Sequence, residues 1–211
     1  MPIEFDPSNP LLHRRLFVGG GLAAAMLVPG TALGQGAKQA GKVEDMRGEA
    51  FAQAAAAKRN LAMNAPLFMA DQVATGSGSR LTMQLGDHTR VRLGEQARLT
   101  IDRYLVEAGG ELTLHSGPMM FDRPAGGTPL PVQVRSSFGL IAVRGTRFFA
   151  GPSNNVFGVF VERGRVAVTA AGQTVVLLPE QGTDIPRRGA PPSPPRIWGA
   201  LRIQAAQASV W

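Results

Sequence analysis

The sequence predicts an all-β protein, an antiparallel jelly-roll-like or rolled β-sandwich with a short C-terminal helix. Three observations point there. Turn residues recur about every 8–12 positions between residues 42 and 185, the interval of short antiparallel strands. Between turns, apolar residues alternate with polar ones, as Leu81, Met83 and Leu85 do with Thr82 and Gln84, which puts one set on one face of a strand. Finally, 26 glycines and 16 prolines with only 6% aromatic residues favour turns and short strands over long helices. At 211 residues, 44% hydrophobic, the chain can bury the core of one domain.

The chain opens with a polar stretch, residues 1–13. His13-Arg14-Arg15-Leu16-Phe17 then begins an apolar run, rich in glycine and alanine, that reaches Leu33. Ala32-Leu33-Gly34 supplies the small residues a signal peptidase requires. Charged start, apolar middle and small-residue exit describe a signal peptide over residues 1–34, cleaved after Gly34. Arg14 and Arg15 followed by Leu-Phe resemble the twin-arginine export signal, whose machinery carries folded proteins. The alternative is an uncleaved inner-membrane anchor. Several glycines, Pro29 and a length near the lower limit of about 17 residues for a span count against it. Either way the remaining chain is expected in the periplasm.

Residues 35–41 read as a small spacer, and a β domain is expected over residues 42–185. Residues 42–50 suggest a strand, a turn at Gly48 and a second strand. The alanines at 54–57 either continue that strand or form one turn of helix. Leu67, Phe68 and Val73 are candidate core. The clearest hairpin joins residues 81–85 to 90–93 through Gly86-Asp87-His88, and Leu99 and Ile101 lie in the next strand. Tyr104-Leu105, residues 112–114 and residues 119–121 read as three more short strands, and residues 124–131 as a loop.

Residues 134–185 are the centre of the pattern. Ile141 and Val143 share one parity; Phe148 and Ala150 share the other. A regular strand would send the two pairs to opposite faces. Gly145 lies between them, and a glycine inside a strand often marks a bulge. The expectation is one strand bent at Gly145, with both pairs in the core; two short strands joined by a turn are the alternative. Beyond it come Phe157, Val159 and Val161 on one parity, a turn at Arg163-Gly164, then Val166 and Val168. A turn at Ala171-Gly172 and a return strand over residues 174–178 follow. Residues 186–195 hold five prolines and read as an extended linker without a core. In residues 196–211, Trp198, Leu201, Ala205 and Ala208 fall on one helical face, which suggests a short docked helix; a partner-binding tail and a frayed end are the alternatives.

Three stretches carry a resemblance: Ser137-Phe-Gly-Leu-Ile-Ala-Val-Arg-Gly-Thr-Arg-Phe-Phe, Val161-Glu-Arg-Gly-Arg-Val-Ala-Val and Val176-Leu-Leu-Pro-Glu-Gln-Gly. Together they resemble the FecR-type periplasmic domain, a family named after the regulator of ferric citrate uptake. Residues 71–76, Asp-Gln-Val-Ala-Thr-Gly, resemble its Gly-Asp-x-Val-x-Thr-Gly segment, with Ala70 in the glycine place. His88 stands where the family has a glycine and is expected to take a positive φ. The departures are an inserted Arg163 in Glu162-Arg163-Gly164 and a reversed order in Gln181-Gly182. The resemblance implies a jelly-roll-like fold and a mainly structural role for Val143, Arg144, Gly145, Thr146, Phe148, Glu162 and Gly164. Arg144 stands in an otherwise apolar strand and needs a partner if buried. Glu162 is the candidate; a ligand contact is the alternative. The family's regulator has a cytoplasmic sigma-factor-binding domain and a membrane helix before this domain. Here 13 residues precede the apolar run, so a stand-alone domain is expected, and sigma-factor regulation does not carry over directly.

The formal charge is +7. Arginines recur at strand positions, and Arg80, Arg90, Arg92 and Arg98 are a candidate basic face, either merely solvated or suited to an anionic partner. Nucleic acid is not expected as a partner, since no aromatics interleave with the arginines. The absence of cysteine removes disulfides, thiolate nucleophiles and cysteine zinc sites. No catalytic or phosphate-binding motif surrounds His88 or His115, so neither an enzyme nor a cofactor is expected. The function expected is a non-enzymatic module that binds an envelope protein, such as a membrane sensor or receptor, in signalling or assembly. The alternative is binding of an anionic envelope glycan or lipid.

Overall fold

A computed structural model describes residues 38–55, 57–105, 109–124 and 131–211; the leader reading and most of the 124–131 loop fall outside these. The first strands are β1 (Gln39–Arg47), β2 (Ala50–Ala54), β3 (Ala57–Asn60), β4 (Pro66–Phe68), β5 (Gln72–Thr75), β6 (Arg80–Leu85), β7 (Thr89–Leu93) and β8 (Arg98–Leu105). They are followed by β9 (Gly109–Ser116), β10 (Met119–Asp122), β11 (Val132–Ser136), β12 (Gly139–Ser153) and β13 (Val156–Ala170). The chain ends with β14 (Gln173–Leu177), β15 (Gln181–Ile185), β16 (Arg196–Ile197) and the helix α1 (Ala200–Ala208).

The strands join in one sheet of order β3-β2-β5-β8-β9-β11-β12-β10-β7-β6-β1-β4, with β13 beside β12 and β14 and β15 beside β13. Pairing is antiparallel throughout except between β9 and β11, which run parallel. Val73 near one end of the path and Leu67 near the other belong to the same apolar cluster, so the sheet rolls round a single interior. The alternation read from the sequence is what fills it: Leu81, Met83, Leu85, Val91 and Leu93 all point inward and are buried.

The bend at Gly145 is present. β12 is continuous, Gly145 has φ +60°, and the register with β13 shifts between Arg144 and Arg147. Gly145 and Thr146 together oppose Gly164, a two-against-one bulge. On β13, Glu162 is skipped in turn between Arg163 and Val161. The two strands therefore change phase at the same level, and Ile141, Val143, Phe148 and Ala150 all enter the core with Val159, Val161, Val166 and Val168.

Several local expectations need correction. Arg163-Gly164 is not a turn: β13 runs straight through it, because Gly164 faces the bulge. The hairpin closes instead at Asn154 (φ +51°) and Asn155 (φ +62°), residues that tolerate the left-handed region two-residue turns demand. Tyr104-Leu105 is the end of β8, not a separate strand. Ala54 ends β2 and Ala57 opens β3, and the two stand opposite each other. In the β6–β7 turn it is Gly86 (φ +56°), and not His88, that takes the positive φ. Ala70 stands at φ +67°, in keeping with its place in the motif.

A second cluster lies on the outer face of the sheet. Met120, Phe149 and Phe160 point away from the interior and meet Trp198, Ala206 and Val210. The buried face of α1 is therefore not the one expected, since Leu201 is 82% exposed and Ala205 and Ala208 are also exposed. Ala206 and Val210, with half-buried Ile203, face the sheet instead. Trp198, which precedes the helix, sets this rotation: its indole lies where Cβ atoms on Gly158 and Gly182 would be, at 2.8 and 2.1 Å. Residues 186–195 bury Ala190 and Pro192 and are pinned where Thr183 Oγ1 donates to the Ser193 carbonyl at 2.6 Å.

Candidate functional site

The motif around residues 70–76 forms internal staples. Asp71 is wholly buried and accepts hydrogen bonds from Arg59 through both guanidinium Nη atoms and from the Phe68 N–H at 2.7 Å. Thr75 Oγ1 donates to the Gly94 carbonyl at 2.6 Å and accepts from the Ala97 N–H at 3.0 Å. In the central motif, Val143 and Phe148 are core, and Thr146 is buried with its hydroxyl unpartnered. The side chain of Arg144 lies outside the described set. Glu162, the candidate partner read from the sequence, faces Arg147: Arg147 Nε approaches Glu162 Oε2 at 2.7 Å. That N–H is not aimed at the oxygen and makes no hydrogen bond, so the contact is ionic rather than directional. Gln207 Nε2 on α1 also donates to Glu162, at 2.9 Å.

The outer face carries two rows that cross the strands. One runs Asp45, Thr82, Arg92, Met120, Phe149, Phe160, from charged to apolar. The next runs Gln84, Arg90, Asp122, Arg147, Arg163. Bulges supply the missing acids. Glu44, skipped in the β1 register, takes three hydrogen bonds from Arg90 at 2.7–2.9 Å, and Glu162 reaches Arg147. Asp122 accepts from Arg163 at 2.8 Å and lies 3.5 Å from Arg147. The Arg90 hydrogen bonds hold the Glu44 carboxyl below its ordinary pKa.

Of the expected basic face, Arg80, Arg90 and Arg92 come together in a cleft of about 240 Å³ beside Glu44, Val210 and Trp211. Arg98 stands on the other arm, in register with Ala74 and Ser116. Arg147 and Arg163 join the face, which sequence parity alone did not reveal. Arg92 lies 3.8 Å over the Trp211 ring. Burial, and next the neighbouring Arg147, push its guanidinium below the ordinary value.

A different surface lies beyond the bulge. Ala142, Ala167 and Val176 form one outer row over β12, β13 and β14. With Val143, Gly164 and Leu178 they line an open groove of about 660 Å³, to which Arg165 also contributes. Val176 and Leu178 are 48% and 44% exposed. The groove thus joins two central motif residues to uncovered apolar surface.

The family model described as FecR protein matches residues 71–167. Two crystal structures of a candidate anti-sigma factor from Parabacteroides distasonis ATCC 8503 are similar in fold, each with TM-score 0.52 and 20% identity over 64% of this chain. The similarity covers 63% and 62% of those chains, so this chain spans less than two thirds of their length. At that identity the likeness speaks for the fold alone. No curated protein matches the chain. The matched stretch begins at Asp71, just before β5, ends within β13 and includes the bulge at Gly145.

Proposed function

We propose that the chain is an exported, non-enzymatic signalling module of the cell envelope that binds another envelope protein. The observation that carries this reading is the open groove over β12, β13 and β14. It is apolar, it leaves Val176 and Leu178 uncovered, and it begins at Val143 and Gly164 of the FecR motif. Exposed apolar surface of this kind favours protein contacts. The match of residues 71–167 to the FecR protein model supports a role in signal relay. Arg14 and Arg15 direct export, and the periplasm is the compartment of action.

An anionic glycan or lipid is a weaker fit, because Arg90, Arg147 and Arg163 already face carboxylates of the chain. The test is a photo-crosslinking residue in place of Leu178, introduced in the native cell, with mass spectrometry of the adducts. One discrete envelope protein, retained at moderate salt, is the expected result. Adducts only with glycan or lipid, or the same adducts from a probe at Arg98, would reject the reading. Replacing Arg14 and Arg15 by lysine is expected to strand the protein in the cytoplasm.

A further inference from the structure

Four of the described strands have a neighbour on one side only: β3, β4, β14 and β16. An open strand edge invites pairing, and proteins guard such edges with charge, proline or brevity. Three of the four are guarded. β3 carries Lys58 and Arg59, β4 has three residues and starts with Pro66, and β16 has two residues, one of them Arg196. β14 is Gln-Thr-Val-Val-Leu, with no charge and no proline.

The hairpin fixes which groups this edge offers. Ala170 and Gln173 flank the two-residue turn at Ala171 and Gly172 and exchange both backbone hydrogen bonds across it. Val168 with Val175, and Val166 with Leu177, do the same by alternation. The N–H and C=O groups of Thr174 and Val176 therefore point away from β13.

We infer that this edge pairs antiparallel with β14 of a second copy, about a two-fold axis through Val175. In that register Thr174 faces Val176 of the second copy, twice, so all four outward N–H groups and all four outward C=O groups find partners. The exposed Val176 then lies against a β-branched threonine. Leu178 comes beside Gly172 of the second copy, where no side chain competes and a Cβ would meet nothing within 4 Å. The strand is uncharged, so the axis sets no like charges against each other despite the +7 of each copy. A self-complementary patch is what a two-fold dimer requires. The pairing joins two groove faces into one wider surface and does not depend on the identity of any envelope partner.

The chain has no cysteine, so introduced thiols report cleanly. The axis brings the two Val175 Cα atoms to about 4.5 Å, within disulfide range. Two Gln173 residues would stand four positions out of register, about 13 Å apart. Sedimentation equilibrium of the full chain is expected to show a concentration-dependent doubling of mass. Under mild oxidation Val175→Cys should crosslink and Gln173→Cys should not. Thr174→Pro removes an outward N–H without cutting the β13–β14 ladder and should leave a folded monomer. A monomer at every concentration, equal crosslinking of both cysteine variants, or a folded Thr174→Pro variant that still dimerises overturns the inference. Should the proline variant fail to fold, the cysteine pair decides alone.

Discussion

At the scale of single residues, the central motif is governed by two glycines with different constraints. Gly145 has φ +60° and open space around its missing Cβ, whereas a Cβ on Gly164 (φ +88°) would meet the Gly145 carbonyl oxygen at 2.6 Å. Gly145→Ala should therefore cost only backbone strain, about 1–2 kcal/mol, and Gly164→Ala clearly more, because rigid backbone must move as well. Urea midpoints of the two variants check the order. Between them, Thr146 buries a hydroxyl without a partner. Thr146→Val keeps the shape and removes that unsatisfied group, so a gain of about 1 kcal/mol is expected; a lower melting temperature would show that the hydroxyl is bonded after all. The bulge glycine was legible in the sequence because parity on either side of it disagreed. The role of Asp71 was not, since it lies between β4 and β5 while its partner Arg59 lies on β3, and neither residue breaks a pattern.

At the scale of elements, the C-terminal segment is a fitted cover. Trp198 sits on two glycines, and Arg202 fixes α1 by stacking 3.6 Å from that indole and by bonding Asp184 at 2.6 Å and Ser153 at 2.9 Å. The helix itself is short, and Gly199 gives it no side-chain cap, so it depends on this docking. Trp198→Ala should cost about 3–5 kcal/mol and expose Met120, Phe149 and Phe160. Hydrogen exchange is expected to show α1 released before the sheet opens; release of both together would mean that the cover and the sheet are one cooperative unit. The helical face was misread because periodicity was counted from Trp198, which is not in the helix. The Asn154-Asn155 turn was open to reading, because paired asparagines between apolar runs are a two-residue hairpin signal.

For the molecule as a whole, charge is distributed in cross-strand rows rather than in a basic patch. The Glu44 carboxyl is held low by Arg90, so its contribution is present above the unfolded carboxylate value of about 4.3. It disappears as pH falls through the lower folded value. Arg90 is 54% exposed, and screening limits such a pair to about 0.2–1 kcal/mol. Glu44→Gln is thus expected to be slightly less stable than the parent at pH 7 and equal to it once acid has protonated the carboxyl in the folded state as well. Urea midpoints measured across that range test the sign, and a gap that persists in acid would locate the effect in packing instead.

Alternation, turn residues and one glycine were enough to determine most of the strands, their inward faces and the bulge, because each is a property of neighbouring residues. Which arginines share a row, which acids meet them and which edge stays open were decided only by the folded sheet. Glu44 and Arg90 meet across 46 positions, and such a meeting depends on register and strand order, quantities that no local stretch of chain contains.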